Sequence, residues 1–479
     1  MPHKRILMVC GSPRSARSAS RATAEYLARF LDFDHEWLDV RSLGLSMDPR
    51  EADAGFQRAV EKLQAADAVV WVFGAWSLFV PIELQRLFEK LLLHPECKLE
   101  GKLAASVMTS VRISDDEILE RVRLVSEHLG LGYLGDVSAE GNPFLGYFED
   151  EEQTEASCRI LAQRLNQALE DGYRPARRTR VEPLALSPLW RGEAFEIAGP
   201  PAAKTSGRTV LVLSGHALSE APAGASVVEG IRRWSKSTIE VVELAHGNVR
   251  PCTGCFQCLF QEDGRCSQGD EGNALMDRMH EVDGIVLVGA CSCAYLDTWL
   301  KTFLDRSFSQ AHRPVLQGKQ GFVVAAGGGS LEPAIASSMA LMLQARGIHI
   351  LDTLSPSSDT PERFAATLKR TVEDLDRAME QGWTDAGRFS VRAIHRLFSD
   401  ITANNGMMMR ADYRHYREHG FLVNRPGKMQ PLLRVLFRSR YLERRLIAAA
   451  QRAVARGKAT RLEALKAQGV RLGAGRKLE

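Results

Sequence analysis

The chain has 479 residues, of which 45% are hydrophobic and 25% are charged, and its formal net charge is +3. This length exceeds what one ordinary hydrophobic core organises, and the composition is that of a soluble globular protein rather than a disordered one. No stretch approaches the ~20 consecutive apolar residues of a transmembrane helix, so no membrane span is expected.

The start of the chain and its cysteines bear on the compartment. Residues 1–6 lead directly into a strand-like run, without the apolar segment of a signal peptide. Nine cysteines are present, and four of them cluster between positions 252 and 266. We therefore expect a cytoplasmic protein whose clustered thiols serve metal or redox chemistry rather than a disulfide framework.

Short apolar runs alternate with helical patterns in the first part of the chain. The run Ile6–Cys10 ends at Gly11, as a buried parallel strand does at a glycine turn. Four more strands are predicted at His35–Val40, Ala68–Phe73, Leu103–Met108 and Tyr133–Val137, with helices at about 18–31, 55–65 and 82–93. This alternation predicts a parallel, doubly wound α/β sheet.

The same order recurs later in the chain. Strands are predicted at Val210–Ser214, Ile239–Leu244, Gly284–Val288, Gly321–Ala325 and Ile348–Leu351. Asp67 and Asp283 each precede a third strand, and an acidic residue, Glu89 or Asp305, follows each of them at the same spacing. Such ordered spacing indicates a tandem duplication. The predicted domains are 1–170 and 209–382, each with a five-stranded parallel sheet, joined by a linker over 171–208 and followed by a basic helical extension over 383–479.

The two halves differ in one interval. The stretch from Gly215 to Asp283 is longer than the corresponding stretch from Gly11 to Asp67. The additional residues fall where the four cysteines cluster, after the second predicted strand. An elaborated loop at that point would lie at the carboxyl edge of the sheet, where ligands bind in open α/β proteins.

The turn after the first strand is a candidate phosphate site. A helix start with N–H groups available, several hydroxyls and an arginine suit a phosphate monoester. The candidate ligands are Ser12, Arg14, Ser15, Ser18 and Ser20. From the residues alone, an ordinary Ser/Pro turn that caps a helix is an equal alternative.

The order strand, Gly-Ser-Pro-Arg, helix resembles the FMN phosphate loop of the NAD(P)H-dependent FMN reductase family, which has the flavodoxin-like fold. The resemblance implies that the loops after the third and fourth strands border the flavin ring, and that a glycine loop of the second half approaches it. The residues concerned are Ala75, Trp76, Ser77, Leu78, Thr109, Ser110, Gly327 and Gly328. The family's usual Pro-x-Tyr is missing here, so Trp76 is the candidate aromatic surface.

The cysteine cluster has the spacing Cys-x2-Cys-x2-Cys-x7-Cys, formed by Cys252, Cys255, Cys258 and Cys266. Compact thiolate spacing lets one loop wrap a [4Fe–4S] cubane. A four-thiolate zinc site and metal-free redox thiols are the alternatives. The stretch closely resembles the cysteine loop of iron–sulfur flavoproteins, which belong to the same superfamily.

The two halves complement each other. The first keeps the phosphate loop, whereas the second has Ser214-Gly-His216 at that place and holds the cysteines. We therefore predict an internal pseudo-dimer, in which FMN binds to the first half and faces the cysteine loop of the second. Whether the chain oligomerises further is left open.

The region from Trp383 onward has 21 Lys and Arg against 7 Asp and Glu. Residues 431–456 are amphipathic and cationic, which is typical either of a helix on anionic lipid at the inner membrane surface or, as we favour, of a helix packed on the protein. Nucleic acid is not an expected partner, because no reader motif accompanies the charge. Ala411–Gly420 resembles a C-terminal extension of some flavodoxin-family oxidoreductases.

The family resemblance implies a flavin-dependent NAD(P)H oxidoreductase that reduces a quinone, a flavin or a similar small acceptor. Its cofactors would be FMN, NAD(P)H as the electron donor and, if the cysteine loop is loaded, [4Fe–4S]. Two alternatives stay open: an FMN and iron–sulfur electron-transfer protein that serves a partner protein, and a degenerate flavodoxin-like binding protein without catalysis.

Overall fold

A computed structural model gives the fold. It describes residues 4–94, 97, 99–111, 114–142, 146–147, 151–174, 194–292, 295–326, 331–356, 360–384, 389–406, 408–420 and 422, with isolated positions at 445, 448, 449 and 452. The chain forms two compact units. One comprises Met1–Pro183, Thr253–Cys255 and Arg452–Glu479, and the other comprises Leu184–Cys252 and Phe256–Gln451.

The first unit contains a sheet with the strand order β2-β1-β3-β4-β5-β6, in which the first five strands are parallel and the short β6 is antiparallel to β5. The strands are β1 Arg5–Cys10, β2 Asp34–Asp39, β3 Ala68–Gly74, β4 Leu103–Ser110, β5 Gly132–Asn142 and β6 Gly146–Tyr147. The helices are α1 Ala19–Ala28, α2 Ala54–Ala65, α3 Ile82–Leu93, α4 Asp115–His128 and α5 Glu151–Asp171.

Burial explains why the apolar runs become strands. All eight residues of β4 are buried, as are all residues of β1 after Arg5 and of β3 before Gly74. Parallel strands covered by helices on both faces have this continuous apolar character. Side chains fix the helix starts, since Asp53 accepts a hydrogen bond from the Phe56 N–H at 2.8 Å at the beginning of α2.

The second unit contains a parallel sheet with the order β12-β11-β9-β7-β8, and the short β10 pairs antiparallel with β9. The strands are β7 Thr209–Ser214, β8 Thr238–Glu243, β9 Gly284–Ser292, β10 Tyr295–Leu296, β11 Gln320–Ala326 and β12 His349–Leu354. The helices are α6 Pro222–Trp234, α7 Gln257–Phe260, α8 Glu271–Glu281, α9 Thr298–Arg306, α10 Glu332–Ala345, α11 Pro361–Gln381, α12 Phe389–Asn405 and α13 Arg410–Glu418.

The predicted duplication of a doubly wound fold is confirmed. Each half orders its five parallel strands as second, first, third, fourth, fifth, and the ten predicted strands are all present. Each half also buries an ion pair at a matched place. Lys90, at the end of α3, lies 3.0 Å from Asp53, and Arg306, at the end of α9, donates to Asp270 at 2.8 Å. In both pairs the aspartate begins the helix that precedes the third strand.

Several predictions concern residues beyond the described ones. Gly327 and Gly328 lie outside them, as do residues 175–193 of the predicted linker and residues 431–444 of the cationic segment. The helical character predicted for the C-terminal region is confirmed by α12 and α13. Within the described ranges, no helix has the length and apolar content needed to cross a bilayer.

Candidate functional site

The turn after β1 passes close to α3. The Gly11 N–H donates to the Val72 carbonyl at 2.8 Å, which keeps the turn against β3. A Cβ placed on Gly11 would lie 2.5 Å from the Leu84 Cβ. The turn can therefore take this path only with glycine at position 11.

Ser12 organises the next residues. Its Oγ accepts a hydrogen bond from the Arg14 N–H at 3.3 Å, and its carbonyl accepts one from the Ser15 N–H at 3.0 Å. Ser15 has a φ of 55°, in the left-handed region that non-glycine residues enter infrequently. These bonds turn the chain into the short 3-10 helix Ser15–Arg17.

The hydroxyls of Ser18 and Ser20 serve the turn itself. Ser18 Oγ accepts from the Arg21 N–H at 3.2 Å, which caps α1, and donates to the Ser15 carbonyl at 2.9 Å. Ser20 Oγ donates to Ser18 Oγ at 3.4 Å, and both serines are buried. These two hydroxyls therefore build the turn itself, and Arg14 of the same turn is partly exposed.

The ends of β3 and β4 lie beside this helix start. The Ala75 N–H donates to the Thr109 carbonyl at 2.8 Å. A Cβ placed on Gly141 would lie 3.0 Å from the Thr109 Cβ and 3.6 Å from the Ala19 Cβ. The structure therefore brings Thr109 together with the beginning of α1. The Ser110 hydroxyl is used elsewhere, because it donates to Asp115 at 2.5 Å.

The loop after β3 is a tight hairpin turn. The Trp76 N–H donates to the Phe79 carbonyl at 2.8 Å, and the Phe79 N–H donates back at 3.0 Å. Ser77 and Leu78, between them, have φ values of 47° and 60°. Two left-handed residues are the geometry of a type I′ turn, which normally uses Asn and Gly. Non-glycine residues held there cost on the order of 1 kcal/mol each, and such strain concentrates at functional sites.

The corresponding turn of the second half is filled by a carboxylate. Cys10 and Ser214, the last residues of β1 and β7, pair in register with Asp39 and Glu243. Glu243 Oε2 accepts from the Leu218 N–H at 2.7 Å, so a side chain of the protein already occupies this turn as an anion. Asp39, at the matching position of the first half, accepts instead from the neighbouring Arg41 N–H at 3.1 Å.

A second acidic group lies beneath the same turn. A Cβ placed on Gly215 would lie 2.1 Å from Asp297 Oδ1. Asp297 is fully buried and accepts from the Ala290 N–H at 3.0 Å and the Leu300 N–H at 2.9 Å. Burial raises the pKa of this carboxyl, and His216 acts in the opposite direction. The second turn therefore has two acidic side chains beside it, Glu243 and Asp297.

The cysteine loop lies between β8 and α8, at the carboxyl edge of the second sheet, as predicted. Cys255 is exposed, the other three cysteines of the loop are partly exposed, and none of the four is in a disulfide. Among the described residues, no three His, Cys, Asp or Glu side chains are close enough together to hold one metal ion. The donor set has the chemistry of an iron–sulfur centre, but its sulfur atoms are not gathered around one point.

Two cysteines outside the loop are structural. Cys10 and Cys158 are buried in the core of the first unit. Burial raises the pKa of the Cys10 thiol to about 11 and that of the Cys158 thiol to about 12. Both stay protonated at neutral pH, so neither is a candidate nucleophile.

Arg306 ties the two ends of the cysteine loop together. Its buried guanidinium donates to the Arg250 carbonyl at 2.8 Å and to Asp270 Oδ1 at 2.8 Å. Burial opposes ionisation of Asp270, but hydrogen bonds from Arg306, Arg250 and Gly272 outweigh it and lower its pKa to about 2. A fully ionised pair thus anchors the loop to α9.

Sequence reasoning missed four residues. Glu243 and Asp297 distinguish the second turn from the first, and Asp270 and Arg306 anchor the cysteine loop. The sequence held a cue for Arg306, because this residue has the same position in the second half as Lys90 has in the first. It held no cue for the pairing with Asp270, because 36 residues separate the two partners. For Glu243 and Asp297 the sequence holds no signal, because only the folded register brings them to the turn.

Comparison with known proteins adds to this geometry. The sequence profile of a family described as NADPH-dependent FMN reductase matches residues 4–142 and again residues 197–357. An iron–sulfur flavoprotein of Archaeoglobus fulgidus is 29% identical over 196 residues, which are 38% of this chain and 85% of that protein. An iron–sulfur flavoprotein of Methanocaldococcus jannaschii is 30% identical over 120 residues, 25% of this chain and 61% of that protein. Among solved structures, an FMN-dependent NADH-azoreductase of Bacillus anthracis is similar with a TM-score of 0.28 and 14% identity, over 34% of this chain and all of that one.

Proposed function

Because the chain belongs to the NADPH-dependent FMN reductase family, whose members are flavin-dependent NAD(P)H oxidoreductases, we propose that its first half holds the FMN and that the acceptor is a quinone, a flavin or a similar small molecule. The proposal has three parts: where the phosphate binds, what borders the ring, and what the cysteine loop carries.

The observation that carries the proposal is the difference between the two turns. A phosphate monoester has a charge of about −1.5 to −2 at neutral pH. In the second half it would meet the carboxylate of Glu243 and the buried Asp297. In the first half it would meet the start of α1 and the guanidinium of Arg14. Electrostatics therefore favour the first turn.

The remaining residues of the first site would position the ring. When bound, FMN supplies the hydride chemistry between NAD(P)H and the acceptor, while the protein supplies orientation and electrostatics. Two hydrogen bonds fix the backbone of the turn Trp76–Phe79, and its residues Trp76–Leu78 are half-buried, so they would form a rigid surface that an incoming substrate can reach. Thr109, beside the start of α1, would border the opposite side.

The third part of the proposal is an iron–sulfur centre on the cysteine loop, which requires a test of its own. The thiol spacing and the likeness to iron–sulfur flavoproteins support it, and the separation of the sulfur atoms requires that the loop close around the cluster on loading. Iron and acid-labile sulfide, measured on protein purified without oxygen, give its occupancy, and Cys252→Ala should reduce both.

Arg14→Ala tests the FMN assignment. Loss of one charge-assisted contact should weaken FMN binding about 10- to 100-fold, as judged from the ~1.5–3 kcal/mol of such bonds. The matched control is Glu243→Gln, which alters the second turn and should leave FMN affinity unchanged. Retention of FMN by Arg14→Ala, with altered affinity in Glu243→Gln, would reverse the assignment.

Steady-state oxidation of NADH and NADPH separates an enzyme from an electron carrier. The reductase should turn over with a small quinone as the only acceptor. A carrier that serves a partner protein should take up electrons once and then stop. A colourless preparation without flavin absorbance would instead favour a degenerate binding protein.

A further inference from the structure

We propose that α13 is a positioning element for the cysteine loop, and that it fixes the limb between Cys258 and Cys266. This inference rests on the proposed redox role of the loop. Two residues separate each of the first three cysteines from the next, whereas seven residues separate Cys258 from Cys266. The fourth thiol therefore depends most on contacts from elsewhere in the fold.

Two arginines of α13 bind the outer side of this limb. Arg414 Nη2 lies 3.1 Å from Glu262 Oε2, and its Nη1 donates to the Glu262 carbonyl at 3.3 Å. Arg410 binds the other carboxylate oxygen of Glu262. Exposed ion pairs are individually weak, but two guanidiniums on one carboxylate form a small network that restrains Glu262.

The inner side is held by a buried cluster. Asp412 of α13 is 3% exposed and lies 2.8 Å from Arg313 Nε and 3.2 Å from His312 Nδ1. Arg313 packs directly on the limb, because a Cβ placed on Gly264 would lie 2.0 Å from its Nη2. Gly264 also has a φ of 69°, which favours glycine. Asp412 thus orients the arginine that supports the backbone two residues before Cys266.

Aromatic rings continue this support. Phe256 of the loop lies edge-on to Phe308 at 5.8 Å, Phe308 lies edge-on to His312 at 4.6 Å, and His312 lies 4.5 Å from Phe398 of α12. The Tyr416 hydroxyl of α13 donates to the His312 carbonyl. Packed rings of this kind add about 0.5–1.5 kcal/mol each beyond their buried area.

Together these contacts hold the limb from two directions. Arg306 of α9 binds Asp270, which follows Cys266, and α13 contacts the limb at Glu262 and Gly264. A helix of the C-terminal extension therefore serves the cysteine loop, and the basic character of α13 matches the acidic residue that it binds.

The test compares two full-length variants, the double substitution Arg410→Ala/Arg414→Ala and the control Arg396→Ala. Arg396 pairs only with Asp400 among the contacts described, on the exposed surface of α12. In metal-free, reduced protein, the rate at which iodoacetamide alkylates each loop cysteine is followed by mass spectrometry, together with hydrogen exchange over residues 258–266. The double variant should alkylate Cys266 roughly tenfold faster and exchange faster, as expected from losing two exposed pairs. The control should match the parent.

Two further readouts keep the result specific. Iron bound after reconstitution with ferrous iron and sulfide should fall in the double variant, while FMN content stays unchanged. Asp412→Ala should act more strongly, and a thermal melt checks that it is folded. Unchanged alkylation and exchange in the double variant would overturn the inference. Its failure is distinguishable from failure of the proposed function, which FMN binding and NAD(P)H oxidation report separately.

Discussion

Lys90 and Arg306 occupy the same position in the two halves, but they bind different sets of groups. The ammonium group of Lys90 reaches Asp53 and the carbonyl of Asp48, at 2.8 Å, which secures an ordinary loop. The planar guanidinium of Arg306 reaches Asp270 and the Arg250 carbonyl at once. Arginine offers five donors in a fixed fork, so it can tie two ends of a longer loop where lysine secures one.

Asp270→Asn should destabilise the second unit. Removal of one partner from a buried pair leaves an uncompensated charge and costs about 3–5 kcal/mol. Urea denaturation measures the loss. The matched control is Asp277→Asn, whose partner Arg265 is nearly half exposed and whose loss should cost under ~1 kcal/mol. Equal effects of the two substitutions would contradict the buried role of Asp270.

The pH dependence of the same residue has a definite sign. The folded pKa of Asp270 is lowered to about 2 from an ordinary value of 3.8. Its contribution to stability is therefore complete above about pH 4 and is lost as the pH falls through 2. Urea titrations between pH 5 and pH 2 should show a steeper loss in the parent than in Asp270→Asn.

Gly11→Ala tests the close approach of the first turn. The new Cβ would lie 2.5 Å from the Leu84 Cβ, so the turn must shift. Overpacking of this kind costs about 1–3 kcal/mol, and FMN affinity should fall with the displaced turn. Gly269→Ala is the control, because a Cβ there meets nothing within 4 Å. Thermal melts and FMN titration measure both effects, and identical melts for the two variants would refute the assignment.

At the scale of elements, the sequence was a good guide to strands and a poor guide to what joins them. Continuous apolar runs predicted β1 and β3 closely, and a helical pattern predicted α3, because burial sets those boundaries. The two-residue strands β6 and β10 are too short for any periodicity. The support of the cysteine loop by α13 depends on contacts between residues far apart in sequence, such as Glu262 and Arg414, which no local pattern encodes.

The attachment of α13 should weaken in acid. Burial lowers the pKa of His415 to about 4, and His419 and Arg313 act in the same direction. The unfolded state therefore binds the proton first, so stability is complete above pH 6.5 and declines as the pH falls toward 4. Hydrogen exchange of residues 410–418 at pH 7 and pH 5 measures this decline. His415→Gln should flatten the dependence, whereas His246→Gln, at an exposed histidine, should preserve it.

At the scale of the whole molecule, duplication does not imply two equivalent flavin sites. Both halves keep the sheet, but Glu243 accepts from an N–H of the second turn, whereas the matching Asp39 accepts from Arg41. We expect one FMN per chain, measured as acid-released flavin against protein concentration. Two equivalents would contradict the assignment.

The expectation that FMN and the cysteine loop form one redox unit stays a prediction. Cys252→Ala should keep FMN while altering electron transfer from reduced flavin to the acceptor. Stopped-flow reoxidation measures this step, with Cys97→Ala as a control at a buried cysteine outside the loop. Identical reoxidation in both variants would separate the loop from the flavin chemistry.

The place of the cysteine loop between β8 and α8 has an evolutionary consequence. The insertion interrupts no strand pairing among the described residues, since it begins after the register of β8 with β7 is complete and ends where Asp270 starts a helix. A segment bounded in this way can lengthen, shorten or exchange its chemistry while the scaffold beneath it is inherited intact. One ancestral unit could thus yield a flavin holder and a thiol carrier within a single polypeptide.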